Sequence, residues 1–230
     1  MADTKGPLVW HAAGEKKWER GVSNVALYPT SNGTYGDGVA WNGVINITES
    51  PSGAEATALW ADNVKYANLI SAEEFGATIE AYTYPDEFAE CDGSATIATG
   101  VTIGQQTRKT FGLAWKSLIG NDTESDKFGY KIKIAYGLTA APSERANNTV
   151  NENSETMTMS WELKSTPVNV KIGENEYKPT SLVTVDSTKF NTPELKAKLK
   201  AFEEFLYGSS TANAQLPLPE KVAELIGAEG

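Results

Sequence analysis

Two long alternating segments joined by a short polar connector constrain this chain more than anything else in it. In the first, Lys109, Phe111, Leu113, Trp115 and Ser117 alternate with Arg108, Thr110, Gly112, Ala114 and Lys116. In the second, K-F-G-Y-K-I-K-I-A-Y over residues 127–136, Phe128, Tyr130, Ile132, Ile134 and Tyr136 take one side and Lys127, Lys131 and Lys133 the other. A side-chain repeat of two is that of a β-strand with one buried face. The connector G-N-D-T-E-S-D makes the pair an antiparallel hairpin. The lysines on its polar side are expected to lie outside the sheet or to pair with acids.

A third alternating segment, E-F-G-A-T-I-E-A-Y-T-Y-P-D-E-F over 74–88, points Phe75, Ala77, Ile79 and Ala81 one way and Glu74, Thr78, Glu80 and Tyr82 the other. Pro85 is expected at the first position of a short helix, with Asp86 and Glu87 near the positive end of its dipole. Further strands are expected at 22–28, at G-V-I-N-I-T-E-S, at 156–163 and near 181–185, with Asn-Gly and Asp-Gly pairs supplying turns. Residues 54–62 and 64–71 read as a hairpin or an extended loop, and 93–104 is ambiguous. The fold class is therefore mainly β, a β-sandwich or barrel with a flanking α-helix and extended N- and C-terminal arms.

The helix begins at Thr192 as N-cap, with Pro193 and Glu194 behind it, and stops at Gly208; Leu195, Leu199, Phe202 and Leu206 form the stripe that packs on the sheet. Past Gly208 a linker-like stretch leads to a short terminal helix at 219–226, a tail expected to order on assembly. The domain reading is an arm at 1–20, a β-sandwich domain at 21–190, and a helix and tail at 191–230. The arm is polar yet carries Trp10 and Trp18, so it docks either on its own domain or on a neighbour.

Composition narrows the function. The formal charge of −10 argues against a phosphate-gripping surface, though not against a surface that DNA slides past. The single Cys91 forms no internal disulfide and no cysteine metal cluster. No apolar run has the length of a bilayer span and the N-terminus carries no secretory pattern, so synthesis in the cytoplasm and no membrane partner are expected. Lone His11 sits away from any nucleophile context, and the chain carries no nucleophile elbow, P-loop, dinucleotide fingerprint or H-E-x-x-H. Asp122, Glu124 and Asp126 imitate a calcium loop without its glycine and terminal glutamate. The acids Glu74, Glu80, Asp86 and Glu87 are of a kind any acidic β protein offers, and the N-x-T sequons at Asn32, Asn46, Asn121 and Asn147 read as turns. The expectation is a protein that is not an enzyme and holds no cofactor or metal.

The segments G-V-S-N-V-A-L-Y, W-A-D-N-V-K-Y and E-F-G-A-T-I-E-A-Y-T-Y-P-D-E-F, followed by R-K-T-F-G-L-A-W, the lysine-rich strand and T-V-N-E-N-S-E-T-M-T-M-S-W, resemble in content and order the major tail protein, or tail tube protein, of long-tailed bacteriophages and prophages. The resemblance covers roughly residues 21–170, and P-D-E-F is its most specific piece. It implies a β-sandwich or barrel that assembles six to a ring, with rings stacked into a tube for the genome. It further implies tape measure, distal tail and tail terminator proteins as partners, transient passage of DNA, and a place in the virion tail after assembly in the host bacterial cytoplasm. On that reading Glu74, Thr78, Glu80 and Tyr82 form a lumen or inter-subunit surface, while Trp10, Trp18, Trp60, Asp62 and Tyr66 make inter-ring contacts. The alternatives are an extracellular carbohydrate-binding β-sandwich, with exposed aromatics stacking on sugars, and the inner tube of a contractile injection apparatus.

Overall fold

The structure, a computed structural model, describes residues 7–142, 145–150, 152 and 156–227. The strands of three or more residues are β1 (Lys17–Ser31), β2 (Val44–Glu49), β3 (Ala56–Ala61), β4 (Val64–Ile70), β5 (Gly76–Ala81), β6 (Ala95–Ala98), β7 (Val101–Ile103), β8 (Phe111–Asn121), β9 (Ser125–Pro142), β10 (Met159–Ser165), β11 (Val168–Ile172), β12 (Asn175–Thr180) and β13 (Leu182–Asp186). Two helices follow, α1 (Pro193–Tyr207) and α2 (Pro219–Ile226). The protein is mainly β, with the flanking helix that the sequence leads one to expect.

The main sheet runs β1-β8-β9-β10-β5-β2, and β13 joins β9 along the stretch before β10 takes over the same edge. Residues 39–49 close it on itself. Their first part pairs with β1, Ala40 opposite Ala26, while β2 pairs with β5, Ile47 opposite Ile79. Between the two ladders the Trp41 N–H donates to the Val25 carbonyl at 2.8 Å and the Tyr82 N–H to the Gly43 carbonyl at 2.9 Å. Closure hides sheet edges that would otherwise present unpaired backbone groups.

Alternation sorts the sheet's side chains into two cores. Inside the closed sheet, Leu27, Ile79, Phe111, Leu113, Trp161 and Leu163 surround Phe88, which the Asp86–Phe88 3-10 turn inserts into the interior. On the outside of β1, β8 and β9, Tyr28, Ile132, Ile134 and Tyr136 meet Leu199, Phe202 and Leu206 of α1 and Val222 of α2. This second layer is why β8, expected to bury one face, buries both: Ala114 lies under the helices, and a Cβ on Gly112 would stand 2.3 Å from Leu216 Cδ2. Trp41 and Trp161 bury indoles whose N–H groups donate at 2.8 Å to the Thr83 carbonyl and to Asp92 Oδ1.

Helix α1 has the boundaries that its capping residues dictate. The Thr192 hydroxyl accepts from the Leu195 N–H at 3.3 Å, Pro193 opens the helix, and Gly208 ends it at φ 84°. Three expectations are corrected. Pro85 is the extended residue preceding the 3-10 turn, not its first position. The segment expected as an arm enters the sheet from Lys17, because Lys17 to Arg20 pair with Asn121 to Leu118. The tail is ordered on its own domain: the Tyr136 hydroxyl donates to the Pro217 carbonyl and the Gly38 N–H to the Ala214 carbonyl, each at 2.8 Å, with Leu216, Val222 and Ala223 buried.

Candidate self-association surface

Strands β3 and β4 pair with each other, Ala56 opposite Ile70, in a two-stranded sheet of their own. Asp62 and Asn63 hold φ at 50° and 61°, the positive values a two-residue hairpin turn requires and that Asp and Asn tolerate best after glycine. The hairpin is apolar without being buried. Trp60 is 69% exposed, Tyr66 74% and Ile70 71%, Leu59, Val64 and Leu69 are exposed as well, and only Ala58 and Ala67 are partly covered. A lone two-stranded hairpin is marginal in water, and a cluster of exposed apolar side chains on one marks a surface that binds something.

The N-terminal segment adds to this. Leu8, Val9 and Trp10 are exposed in the coil before β1. The coil is then tethered, the Gly14 N–H donating to Asp122 Oδ1 at 2.9 Å and Asn121 Nδ2 to the Gly14 carbonyl at 3.4 Å. Trp18 differs from Trp10. It lies in β1 opposite Gly120, where a Cβ would come within 2.4 Å of the indole, so this tryptophan packs against its own sheet. The five residues expected at an inter-ring contact thus fall in three places: Trp60, Asp62 and Tyr66 on the hairpin, Trp10 in the coil, Trp18 on β1.

Of the other four, Thr78 and Glu80 project from the outer face of β5. Asn46, Glu80 and Ser160 form one cross-strand row and Thr48, Thr78 and Glu162 the next, with Asn46 Nδ2 donating to Glu80 Oε2 at 3.2 Å. The intervening Ala77, Ile79 and Ala81 are buried. Glu74 sits beyond the strand in a two-residue ladder opposite Ser52, and Tyr82 follows the strand, exposed. The outer surface of β2, β5 and β10 is thus a polar, acid-bearing face, whereas α1 and α2 cover the other half of the sheet.

Two of the three β9 lysines, Lys131 and Lys133, pair with acids, whereas Lys127 makes no ion pair among the described residues. Lys131 Nζ donates to Glu19 Oε2 at 2.6 Å, and Lys133 Nζ donates to Glu49 Oε1 at 2.6 Å and lies 3.5 Å from Glu19 Oε1. Burial disfavours the Glu19 carboxylate, but hydrogen bonds from Lys131 and Ser117 and the charges of Lys133 and Lys131 outweigh it and hold the carboxyl below its ordinary 4.5. Those ion pairs tie β1 and β2 to β9. A second polar cluster left no mark in the sequence: Asp92, nearly buried, accepts from Trp161 Nε1 and Arg145 Nη2, each at 2.8 Å, with Arg108 Nη1 at 3.6 Å. It joins residues far apart in the chain, so no local spacing reveals it.

Two of the three acids that imitate a calcium loop are engaged within the protein. Asp122 accepts from Gly14, and Asp126 pairs with Arg20. Among the described residues no group of three His, Cys, Asp or Glu is placed to hold a metal ion. Burial pushes the Cys91 thiol up to about 12, which leaves it unreactive at neutral pH.

No protein-family model matches this chain, and no curated protein matches it. Among solved structures, the chain is similar to a component of the anti-feeding prophage baseplate, determined by cryo-electron microscopy with six-fold symmetry imposed. The TM-score is 0.34 at 8% identity, over 78% of this chain and 96% of that one. A likeness so distant carries no functional inference.

Proposed function

We propose that this protein is a structural, non-catalytic subunit of a phage-type tail tube, whose copies close head to tail into rings, six to a ring as the sequence resemblance implies, and stack into a conduit for DNA. The observation that carries the proposal is the free-standing hairpin with Trp60, Tyr66 and Ile70 exposed. An apolar two-stranded projection becomes stable when a neighbouring copy covers it, and a heterologous contact of that kind generates rings or filaments. The acid-bearing face around Thr78 and Glu80 suits a lumen, since it repels the like-charged polymer it must let pass. On this reading the tape measure, distal tail and tail terminator proteins contact the finished tube in the virion tail, and assembly takes place in the host cytoplasm.

A sugar-binding reading would draw on the same exposed aromatics, Trp10, Trp60 and Tyr66, because Trp41, Trp115 and Trp161 are core residues, and it differs in predicting a monomer. Sedimentation velocity across a concentration series tests the proposal. The wild-type protein is expected to form large species as concentration rises, and a Trp60→Ser, Tyr66→Ser variant to stay monomeric with an unchanged circular dichroism spectrum. A variant that assembles like the wild type overturns the role given to the hairpin.

A further inference from the structure

Between the start of β9 and α1 lies a positive recess in an otherwise acidic chain. It encloses about 380 Å³, with Phe128, Tyr130 and Phe190 as apolar lining and Lys127, Lys196 and Lys200 as its cations. Lys127 and Lys196 make no ion pair among the described residues, and Lys200 has only a loose, exposed pairing with Glu204 at 3.6 Å. The two acids in the lining are occupied elsewhere, Glu203 by Lys116 and Asp126 by Arg20. A neighbouring recess shares Phe128 and adds Lys189, likewise without an ion pair among the described residues. In a chain of net charge −10, uncompensated lysines gathered around aromatic rings suit an anionic occupant that also carries apolar surface.

The turn after β5 has the complementary character. Over 82–92, Y-T-Y-P-D-E-F-A-E-C-D holds four acids and no cation. Glu90 is paired with Lys109, and Asp92 with Arg108 and Arg145. Asp86 and Glu87 remain exposed, with no side-chain partner among the described residues, and Tyr82 of the same segment is 53% exposed. Phe88, fully buried, anchors the turn, so the two carboxylates are displayed on a fixed backbone and lose little freedom on docking. Among other exposed acids, Glu174 and Glu176 share a hairpin with Lys171 and Lys178, whereas Glu73 and Glu74 have no such neighbours and serve as a control below.

Turn and groove lie at opposite ends of β9. The Asp92 N–H donates to the Phe88 carbonyl at 2.8 Å, Asp92 Oδ1 lies 3.6 Å from Arg108 Nη1, and that guanidinium donates to the Ala140 carbonyl at 3.0 Å, near the end of the strand. The groove is lined from Lys127 to Tyr130, near its start. At the usual rise of a strand, the stretch from Tyr130 to Ala140 spans about 30 Å. An acidic projection at one end and a positive recess at the other cannot meet within one molecule, but they match between molecules arranged head to tail.

We infer that the groove between β9 and α1 receives the Asp86–Glu87 turn of a second copy of this chain, with the two carboxylates seated among Lys127, Lys196 and Lys200. This rests on the self-association proposed above. It gives the P-D-E-F turn two tasks, since Phe88 holds the inner core and the acids before it hold the neighbour.

The test uses two charge-reversed full chains, a groove variant (Lys196→Glu, Lys200→Glu) and a turn variant (Asp86→Lys, Glu87→Lys), with sedimentation velocity to report assembly. Each alone is expected to raise the concentration needed for assembly about tenfold, as the loss of two partly exposed ion pairs predicts. An equimolar mixture of the two is expected to assemble near the wild-type concentration, because the reversed turn of one fits the reversed groove of the other. Mixing cannot rescue a chain that has merely failed to fold. A milder Asp86→Asn, Glu87→Gln variant is expected to show an intermediate rise at an unchanged urea midpoint. Variants that assemble like the wild type overturn the groove assignment and leave self-association standing. Defective variants that mixing does not restore also overturn it, as does rescue of the groove variant by a Glu73→Lys, Glu74→Lys chain in place of the turn variant. A groove variant that assembles normally but loses retention on DNA shows a phosphate site instead, which overturns it as well. A wild-type protein that sediments as a monomer at every concentration overturns both this contact and the self-association beneath it.

Discussion

Replacing Phe88 by alanine removes the residue around which the inner core is arranged. Its ring is fully buried and lies 4.5 Å from Trp41, 5.2 Å from Trp161, 5.4 Å from Phe111 and 5.8 Å from Tyr84, centroid to centroid. Phe to Ala changes in cores cost about 3–5 kcal/mol, the transfer term plus a penalty for the cavity that neighbours fail to fill. Here collapse is restricted, because hydrogen bonds to Thr83 and Asp92 hold the indoles of Trp41 and Trp161 in place. The upper half of that range, about 4 kcal/mol, is therefore expected. With a urea m-value of about 3 kcal/mol/M for a chain of this size, the midpoint should fall by more than about 1 M. Phe88→Leu, which keeps most of the volume, should cost about 1.5 kcal/mol and shift the midpoint by about 0.5 M. Urea titration followed by tryptophan fluorescence reads both. A Phe88→Ala shift below about 0.3 M would show that the P-D-E-F turn does not hold the core, as would a leucine variant as damaged as the alanine one.

Glu19→Gln is expected to lower stability at neutral pH and to flatten its acid dependence. The folded carboxyl titrates below its unfolded value, so its contribution is present above about pH 4.5 and lost as pH falls through the folded value; unfolding titrations of both proteins from pH 7 to 3 would show parallel curves if the Lys131 and Lys133 pairing contributed nothing. Replacing Glu74 and Glu80 together by lysine is expected to slow DNA passage or spoil assembly in a phage that depends on this subunit, and an unchanged infectious titre would contradict that. Gly112→Val should displace Leu216 and loosen the tail from the sheet, seen as faster amide exchange across 214–226 with β5 and β10 unaffected; full protection of the tail would refute the packing argument.

The parts of the fold that local chemistry determines were readable in the sequence. The alternation of 109–117 and 127–136 yields β8 and β9, and Thr192, Pro193 and Gly208 set the ends of α1. The hairpin tip at Asp62 and Asn63 was legible as a break, since both residues tolerate positive φ. What local pattern could not show is what meets across distance. Nothing near Gly112 announces Leu216, and nothing near Asp92 announces Arg145, because those contacts depend on how the closed sheet brings remote segments together. The arm was misjudged for a related reason. Lys17 to Arg20 read as polar surface chain, but their backbone completes the ladder with β8 and Glu19 satisfies two lysines of β9. The candidate site was half legible: Trp60 and Tyr66 stood out as aromatic, whereas the separation of Trp18 from Trp10 needed coordinates.

Negative-stain electron microscopy of the purified protein, concentrated and left at room temperature, tests self-assembly most directly. Rings or hollow tubes of uniform width, absent from the Trp60→Ser, Tyr66→Ser variant, are the predicted result. Isolated particles the size of one chain at every concentration, from wild type and variant alike, would contradict the account.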